Sequence, residues 1–229
     1  MASSSKPSHA DCASRKPAGL KGFTLLELLV VISILILVMA LAAPAVNSVM
    51  RGSQISQAGQ AVNDQLSLAR QTALSKNHAV EVRFYEFVDS EMPGEQAATT
   101  GTGHLRALQS FEMLDSGTAV AVGKMQRIQP SIIIDSGGTL SSLIDPALKK
   151  TFSPTSGDPQ VSLPRVGSYY CYAFRFLPDG STSLSPTAVN QWFLTLHNIN
   201  DGDSLATPPK NFITLQIDPT NGHIRTYRP

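Results

Sequence analysis

The 229-residue sequence is poor in charge, cysteine and tryptophan. Charged residues make up 15%, well under the roughly 25% usual in soluble domains. Two cysteines, Cys12 and Cys171, are too few for a disulfide scaffold or a Cys-rich zinc module. The formal net charge is +1, without the basic excess that a nucleic-acid-binding surface leaves, so no nucleic-acid partner is expected. Signatures of chemistry are missing as well. There is no Walker A, G-x-S-x-G or HExxH motif, and Gly101 and Gly103 sit in a loop without a following helix. His9, His78, His104, His197 and His223 are scattered, with no His/Cys pair at metal spacing, and read as strand-edge or loop residues. No catalytic residue, cofactor or metal is expected, and the chain is not read as an enzyme. No internal repeat is present. At 42% hydrophobic, disorder is excluded too.

What is present is unevenly distributed. Residues 1–22 carry Lys6, Arg15, Lys16 and Lys21 against Asp11 alone, a net charge of +3. Residues 23–50 carry a single ionisable side chain, Glu27, and residues 51–229 are nearly balanced at −1. From residue 23 to 43 runs FTLLELLVVISILILVMALAA, 21 residues. As a helix this covers about 30 Å, the thickness of a hydrocarbon core. The basic residues ahead of it hold the N-terminus on the cytoplasmic side. Glu27 is the anomaly, because a carboxylate within an apolar span costs roughly 2.5–3.5 kcal/mol. It needs a cationic partner in the membrane, and this chain has none nearby.

Lys21-Gly22-Phe23-Thr24-Leu25-Leu26-Glu27, followed by about 17 apolar residues and then Pro44, resembles the processing site of type IV prepilins and type II secretion pseudopilins. The resemblance implies a leader, 1–22, cut between Gly22 and Phe23 by a prepilin peptidase. It implies N-methylation of Phe23, and pairing of Glu27 with the free amine of a neighbouring subunit. Pro44 matches the family's proline at the end of the membrane helix, a helix break. The 22-residue leader is long for the family. Two A-x-A sequences, 40–42 and 43–45, keep open a Sec signal peptide, and a plain signal anchor is a third reading. The apolar run exceeds the usual 7–15 residues of a signal h-region, and a secretory peptide has no use for Glu27.

Beyond the apolar run, Ile55, Ala58, Val62, Leu66, Ala69 and Ala73 recur at steps of three and four, with Leu68 and Leu74 beside them. These positions make one thin, alanine-rich helix face suited to close packing on a sheet. The expectation is one long helix from 24 to 76, loosened between Pro44 and Gly52, with Gly59 a further weak point. After residue 78 the pattern turns to β. Strands are expected over 80–87, 105–114, 125–134 (weaker), 169–176, 192–197, 212–217 and 224–227. Residues 94–103 read as a polar loop, and 115–168 holds a long insertion of little periodicity around Gly137-Gly138 and Pro146–Pro164. Pro178-Asp179-Gly180 reads as a turn and Asn221-Gly222 as a tight hairpin.

Leu66–Ala73 with Arg70, the Phe176-Leu177-Pro178-Asp179-Gly180 turn and the closing 218–224 stretch resemble minor pseudopilins of the GspH/FimT type. The ending also resembles a Verrucomicrobial prepilin-like group called cassette protein D. The fold so implied is α+β and type IV pilin-like: a long N-terminal helix, half membrane-spanning and half amphipathic, packed on an antiparallel β-sheet domain. The segments are 1–22 leader, 23–43 transmembrane and assembly helix, 44–77 amphipathic extension and 78–229 globular domain. The function implied is that of a structural subunit in a type II secretion-like or type IV pilus-like filament. Its partners would be the peptidase, other pilin-like subunits and inner-membrane lipid. It would cross the membrane once, with its N-terminus cytoplasmic and its C-terminal domain periplasmic. A signal-anchored extracytoplasmic binding protein or enzyme is the alternative. Asn198-Ile199-Asn200-Asp201-Gly202-Asp203 is the one loop with a calcium-like set of oxygens, but it lacks the EF-hand spacing and reads as a hydrated turn. Cys12 goes with the leader, and Cys171 reads as a buried small hydrophobe.

Overall fold

The computed structural model describes residues 23–88, 103–152, 169–187 and 192–229, with the side chains of 41–48 and 150–152 left out. Two compact units divide the chain, residues 1–46 and 47–229. The fold is α+β, an N-terminal helix and an antiparallel sheet. The helix, α1, is Leu25–Lys76. Helix is assigned through Pro44, so the break expected there does not interrupt it. Proline removes one backbone donor and crowds one carbonyl, which bends or weakens a helix without necessarily ending it.

In the second unit, the thin face read from the sequence is the face that packs. Ile55, Ala58, Val62, Leu66, Ala69 and Ala73 are all buried. They share one core cluster with Val80, Val82, Phe84, Phe174, Phe176, Leu194, Leu196, Ile213, Leu215 and Ile217. Gly59 is not a weak point but part of this seat. A Cβ at Gly59 would stand 2.7 Å from Ile213 Cδ1 and 2.8 Å from its Cγ2, so glycine here sets how closely the helix approaches the sheet.

The strands are β1 (Ala79–Phe87), β2 (His104–Met113), β3 (Ala119–Arg127), β4 (Ile132–Ile134), β5 (Lys149–Phe152), β6 (Tyr169–Phe176), β7 (Trp192–Asn198), β8 (Phe212–Ile217) and β9 (Ile224–Tyr227). They form one sheet in the order β5-β6-β1-β2-β4-β7-β8-β9, with β3 also on β2, and every pairing is antiparallel. Both faces of the middle strands are covered. Alternation sends Tyr85, Phe87 and Cys171 away from α1, into a second cluster with Ala107, Phe111, Ala119, Tyr169 and Ala173. Beside it lies Glu81, almost fully buried, which accepts from Arg83 Nε at 2.7 Å and Arg175 Nε at 3.0 Å. The Arg83 guanidinium lies 4.3 Å from the centre of the Phe111 ring.

Three local expectations need correction. The weak strand over 125–134 is the end of β3 and all of β4, separated by a turn in which Ile132 N donates to Gln129 O. Pro130 in that turn has no N–H to continue a ladder. The stretch read as an insertion holds β3, β4, a 3₁₀ turn at Pro146–Leu148 capped by Asp145, and β5, which pairs with β6 along 149–152. The connection from β8 to β9 is not a two-residue hairpin. Ile217 pairs with Ile224, which leaves a loop closed by Asp218 N to His223 O and Gly222 N to Asp218 O. The polar loop expected at 94–103 lies outside the described residues up to 102.

Candidate functional site

At the start of α1 the backbone explains part of the Glu27 anomaly. Glu27 N donates to Thr24 Oγ1 at 3.2 Å and Leu28 N to Thr24 O at 3.2 Å. Thr24 is therefore the N-cap and Glu27 stands at the third helical position, the T-x-x-E spacing of a capping box. A carboxylate in the first turn also faces the positive end of the helix dipole. Among the described residues no side chain bonds the Glu27 carboxylate. Phe23, just ahead of the cap, is 78% exposed; Gly22 lies outside the described residues, as does the Pro44 side chain. Ser33, the other polar interruption, is satisfied within the helix by donating Oγ–H to Leu29 O at 2.8 Å. Every large apolar side chain from Leu25 to Met39 is exposed. Among the described residues no helix is long and apolar enough to cross a membrane.

Farther along, three stretches that stood apart in the sequence meet. Arg70 Nε donates to Asn221 O at 3.1 Å. Gly180 closes the 177–181 turn by donating to Leu177 O, with φ of +88°. Thr182 N donates to Pro219 O at 2.9 Å, joining that turn to the β8–β9 loop. Gly222 sits at the centre with φ of +64°. A Cβ there would lie 2.6 Å from Gly180 O and 3.2 Å from Arg70 Nε. Only glycine meets both demands, the positive φ and the close approach.

A third assembly lies on the sheet face away from α1. Leu194 and Leu196 of β7 join the helix-side core, so alternation turns Thr195 and His197 to the other face. His197 is fully buried. Its Nδ1 is 3.0 Å from Asn198 O and its Nε2 is 3.1 Å from Asp135 Oδ2. Asp135, just beyond β4, also accepts from Gly137 N through Oδ1 and from Leu205 N through Oδ2. Asp203 accepts from Ser136 N and Ser204 N through Oδ1, and Oδ2 lies 2.8 Å from His104 Nδ1. Burial pushes the Asp203 carboxyl up, but the His104 ring and the two backbone N–H groups outweigh it and hold it at about 2. Asp135, His197 and Asp203 each offer a donor atom within 4.8 Å of the others. The histidines thus do not all sit at loops and edges. His78 bonds Glu112 and His223 is exposed, but His104 and His197 belong to this cluster. Nothing in the local sequence marks it, because its members come from four separate segments. The loop read as calcium-like is divided in its loyalties: Asn198 Oδ1 caps the 3₁₀ turn at Ile199–Asp201, while Asp203 turns to residues 104 and 136. Cys171 is buried, as the small hydrophobe expected.

Residues 20–43 match the family model described as the prokaryotic N-terminal methylation motif. No curated protein matches the chain. Among solved structures, the chain is similar to the minor pseudopilin EpsH from the type 2 secretion system of Vibrio cholerae. That pairing has 10% identity and a TM-score of 0.41, over 77% of this chain and 98% of that one. It is also similar to the type IV minor pilin FimU of Pseudomonas aeruginosa, at 13% identity and a TM-score of 0.40, over 77% and 93%. At those values neither neighbour bears on what this chain does.

Proposed function

We propose that this chain is a prepilin-like structural subunit, a minor pseudopilin of a type II secretion-like or type IV pilus-like assembly, and not an enzyme. The observation that carries the reading is the match of residues 20–43, a stretch that includes Gly22, Phe23 and Glu27, to the N-terminal methylation motif. On this reading 1–22 is a leader removed after Gly22 by a prepilin peptidase, and Phe23 becomes the methylated N-terminus. Residues 23–43 first lie in the inner membrane, with the globular domain on the periplasmic side, and then enter the core of a helical filament beside other pilin-like subunits. Pro44 marks the end of that segment; 44–77 seats on the domain formed by 78–229. An apolar helix with no covered face is suited to lipid and to copies of its own kind. Glu27 then takes the Phe23 amine of a neighbour as its cation. That pair has no competing water, so it is worth more than a surface ion pair of about 0–1 kcal/mol.

Mass spectrometry of the N-terminus from membrane fractions tests this. The expected product begins at N-methyl-Phe23 and has 207 residues. A start at Pro44 or Val46 would replace the reading with signal-peptidase cleavage, and an uncut chain would replace it with a signal anchor.

A further inference from the structure

The cluster around His197 sets a proton-counting problem. Asn198 O is a carbonyl and can only accept, so His197 Nδ1, 3.0 Å away, carries a hydrogen. In the neutral ring Nε2 then bears a lone pair. It points at Asp135 Oδ2, a second acceptor, at 3.1 Å in a fully buried setting. Two lone pairs at that distance need a positive centre between them, either a proton carried by the ring or the carboxyl, or a metal ion. Asp203 adds a further carboxylate to the same spot.

We infer that Asp135, His197 and Asp203 form a binding site for a divalent transition-metal cation of the zinc class. The remaining lone pairs fit this use. Asp135 Oδ2 accepts from Leu205 N and Asp203 Oδ2 faces His104, and a carboxylate, with about four lone-pair sites on its two oxygens, can bind a metal beside such contacts. With Nε2 of His197, that makes three donors. The charges of two carboxylates are balanced by one divalent ion, and His197 then stays neutral. The outer contacts are of the kind that metal sites use to orient their ligands. The imidazole is fixed by Nδ1–H to a backbone carbonyl, Asp135 by two backbone N–H groups, and Asp203 by His104 and two more. The 3.1 Å between Nε2 and Asp135 Oδ2 is close to the roughly 3.3 Å between two ligands bonded at about 2.0 Å to a tetrahedral ion. Donor chemistry selects the ion: imidazole with carboxylates suits zinc and its first-row neighbours. Calcium prefers six to eight oxygens, more than these residues supply. The ion would tie the segment after β4, the end of β7 and the 203–205 turn together, on a side of the domain that N-terminal processing does not touch.

The test uses the untagged full-length chain in detergent, stripped with a chelator and dialysed against about 10 μM Zn²⁺. Bound metal is measured by mass spectrometry, and the melting temperature with and without zinc. The wild-type chain should retain about one Zn²⁺ and melt higher with it, and Ca²⁺ or Mg²⁺ should do neither. Asp203→Asn, at a partly exposed position, should weaken binding at least about tenfold and abolish the zinc-dependent shift in melting. His197→Gln should do the same, and Asp203→Asn decides alone if that buried variant does not fold. His78→Ala should bind as the wild type does. No bound zinc in the wild type, or equal binding by Asp203→Asn, would overturn the site and leave a proton between Asp135 and His197 in its place.

Discussion

The two ends of α1 are apolar in opposite ways. From Leu25 to Met39 the large apolar side chains are 44% to 83% exposed, on every side of the helix. Between Ile55 and Ala73 six apolar residues form one stripe, and those six are at most 3% exposed. A stripe needs one partner surface, and the chain supplies it in its own sheet. A helix that is apolar all round needs a partner on every side; in the function proposed above that partner is lipid or other chains. The distribution of apolar residues, more than their number, distinguishes a segment that completes a fold from one that awaits an assembly.

Charge placed at each end should separate the two most sharply. Val62→Asp buries an unpaired carboxylate in the stripe, and should destabilise the domain by more than about 4 kcal/mol, read as a lost melting transition in circular dichroism of the full chain in detergent. Leu35→Asp should leave that transition where it was, and instead reduce membrane insertion by an amount equivalent to about 3 kcal/mol. A shared loss of folding would erase the distinction. Glu27→Val removes charge from the all-apolar end. The cap at Thr24 uses the backbone N–H of Glu27, so the helix start survives. If Glu27 pairs as proposed, a neighbour's amine is then left uncompensated, at a cost of about 3–5 kcal/mol, and co-purification with other pilin-like subunits should fall away. Unimpaired association would remove Glu27 from assembly.

Smaller changes probe the stripe itself. Helix propensity alone makes Gly59→Ala stabilising by about 1 kcal/mol. The 2.7 Å approach to Ile213 opposes it, and overpacking typically costs about 1–3 kcal/mol. The net effect should therefore be a lower melting temperature, partly restored by Ile213→Val. A higher melting temperature would mean that the helix can shift on its seat. Leu68, beside the stripe and 44% exposed, should matter least. Leu68→Ala should change stability by less than about 0.5 kcal/mol, and a loss above about 2 kcal/mol would place it in the core after all.

What could be read from the sequence was whatever repeats at a regular spacing. Val80, Val82 and Phe84 mark β1, and the six residues from Ile55 to Ala73 mark the buried helix face, because burial on one side imposes a period. All but the end of β3 escaped notice because most of Ala119–Arg127 is exposed or half-buried and no face dominates. β5 is four residues, two of them lysine, and takes its place from pairing with β6. At the N-terminus, Thr24 and Glu27 carried a capping signal that the apolar run around them obscured. The Arg70–Gly180–Gly222 junction was visible as three separate fragments, since turn residues announce themselves locally but their meeting does not. The His197 cluster had no signature at all. Asp135 and His197 stand 62 positions apart, and no spacing rule spans the sheet that joins them.

The junction at Arg70 has a consequence in time. Arg70 and Asn221 are separated by 151 residues, and Arg228 reaches back to Gly52 across 176. The helical stripe is therefore among the first parts of the domain to be synthesised, and β8, which carries Ile213 opposite Gly59, among the last. At about 5–20 residues per second, the stripe waits on the order of ten seconds for its seat. Until then only the earlier strands, beginning with Val80, Val82 and Phe84 of β1, can cover the stripe, and the part that Ile213, Leu215 and Ile217 bury stays open to any chaperone or neighbouring nascent chain. A stop codon ahead of β8 would extend the wait indefinitely, and quality control would meet a finished helix on an incomplete seat.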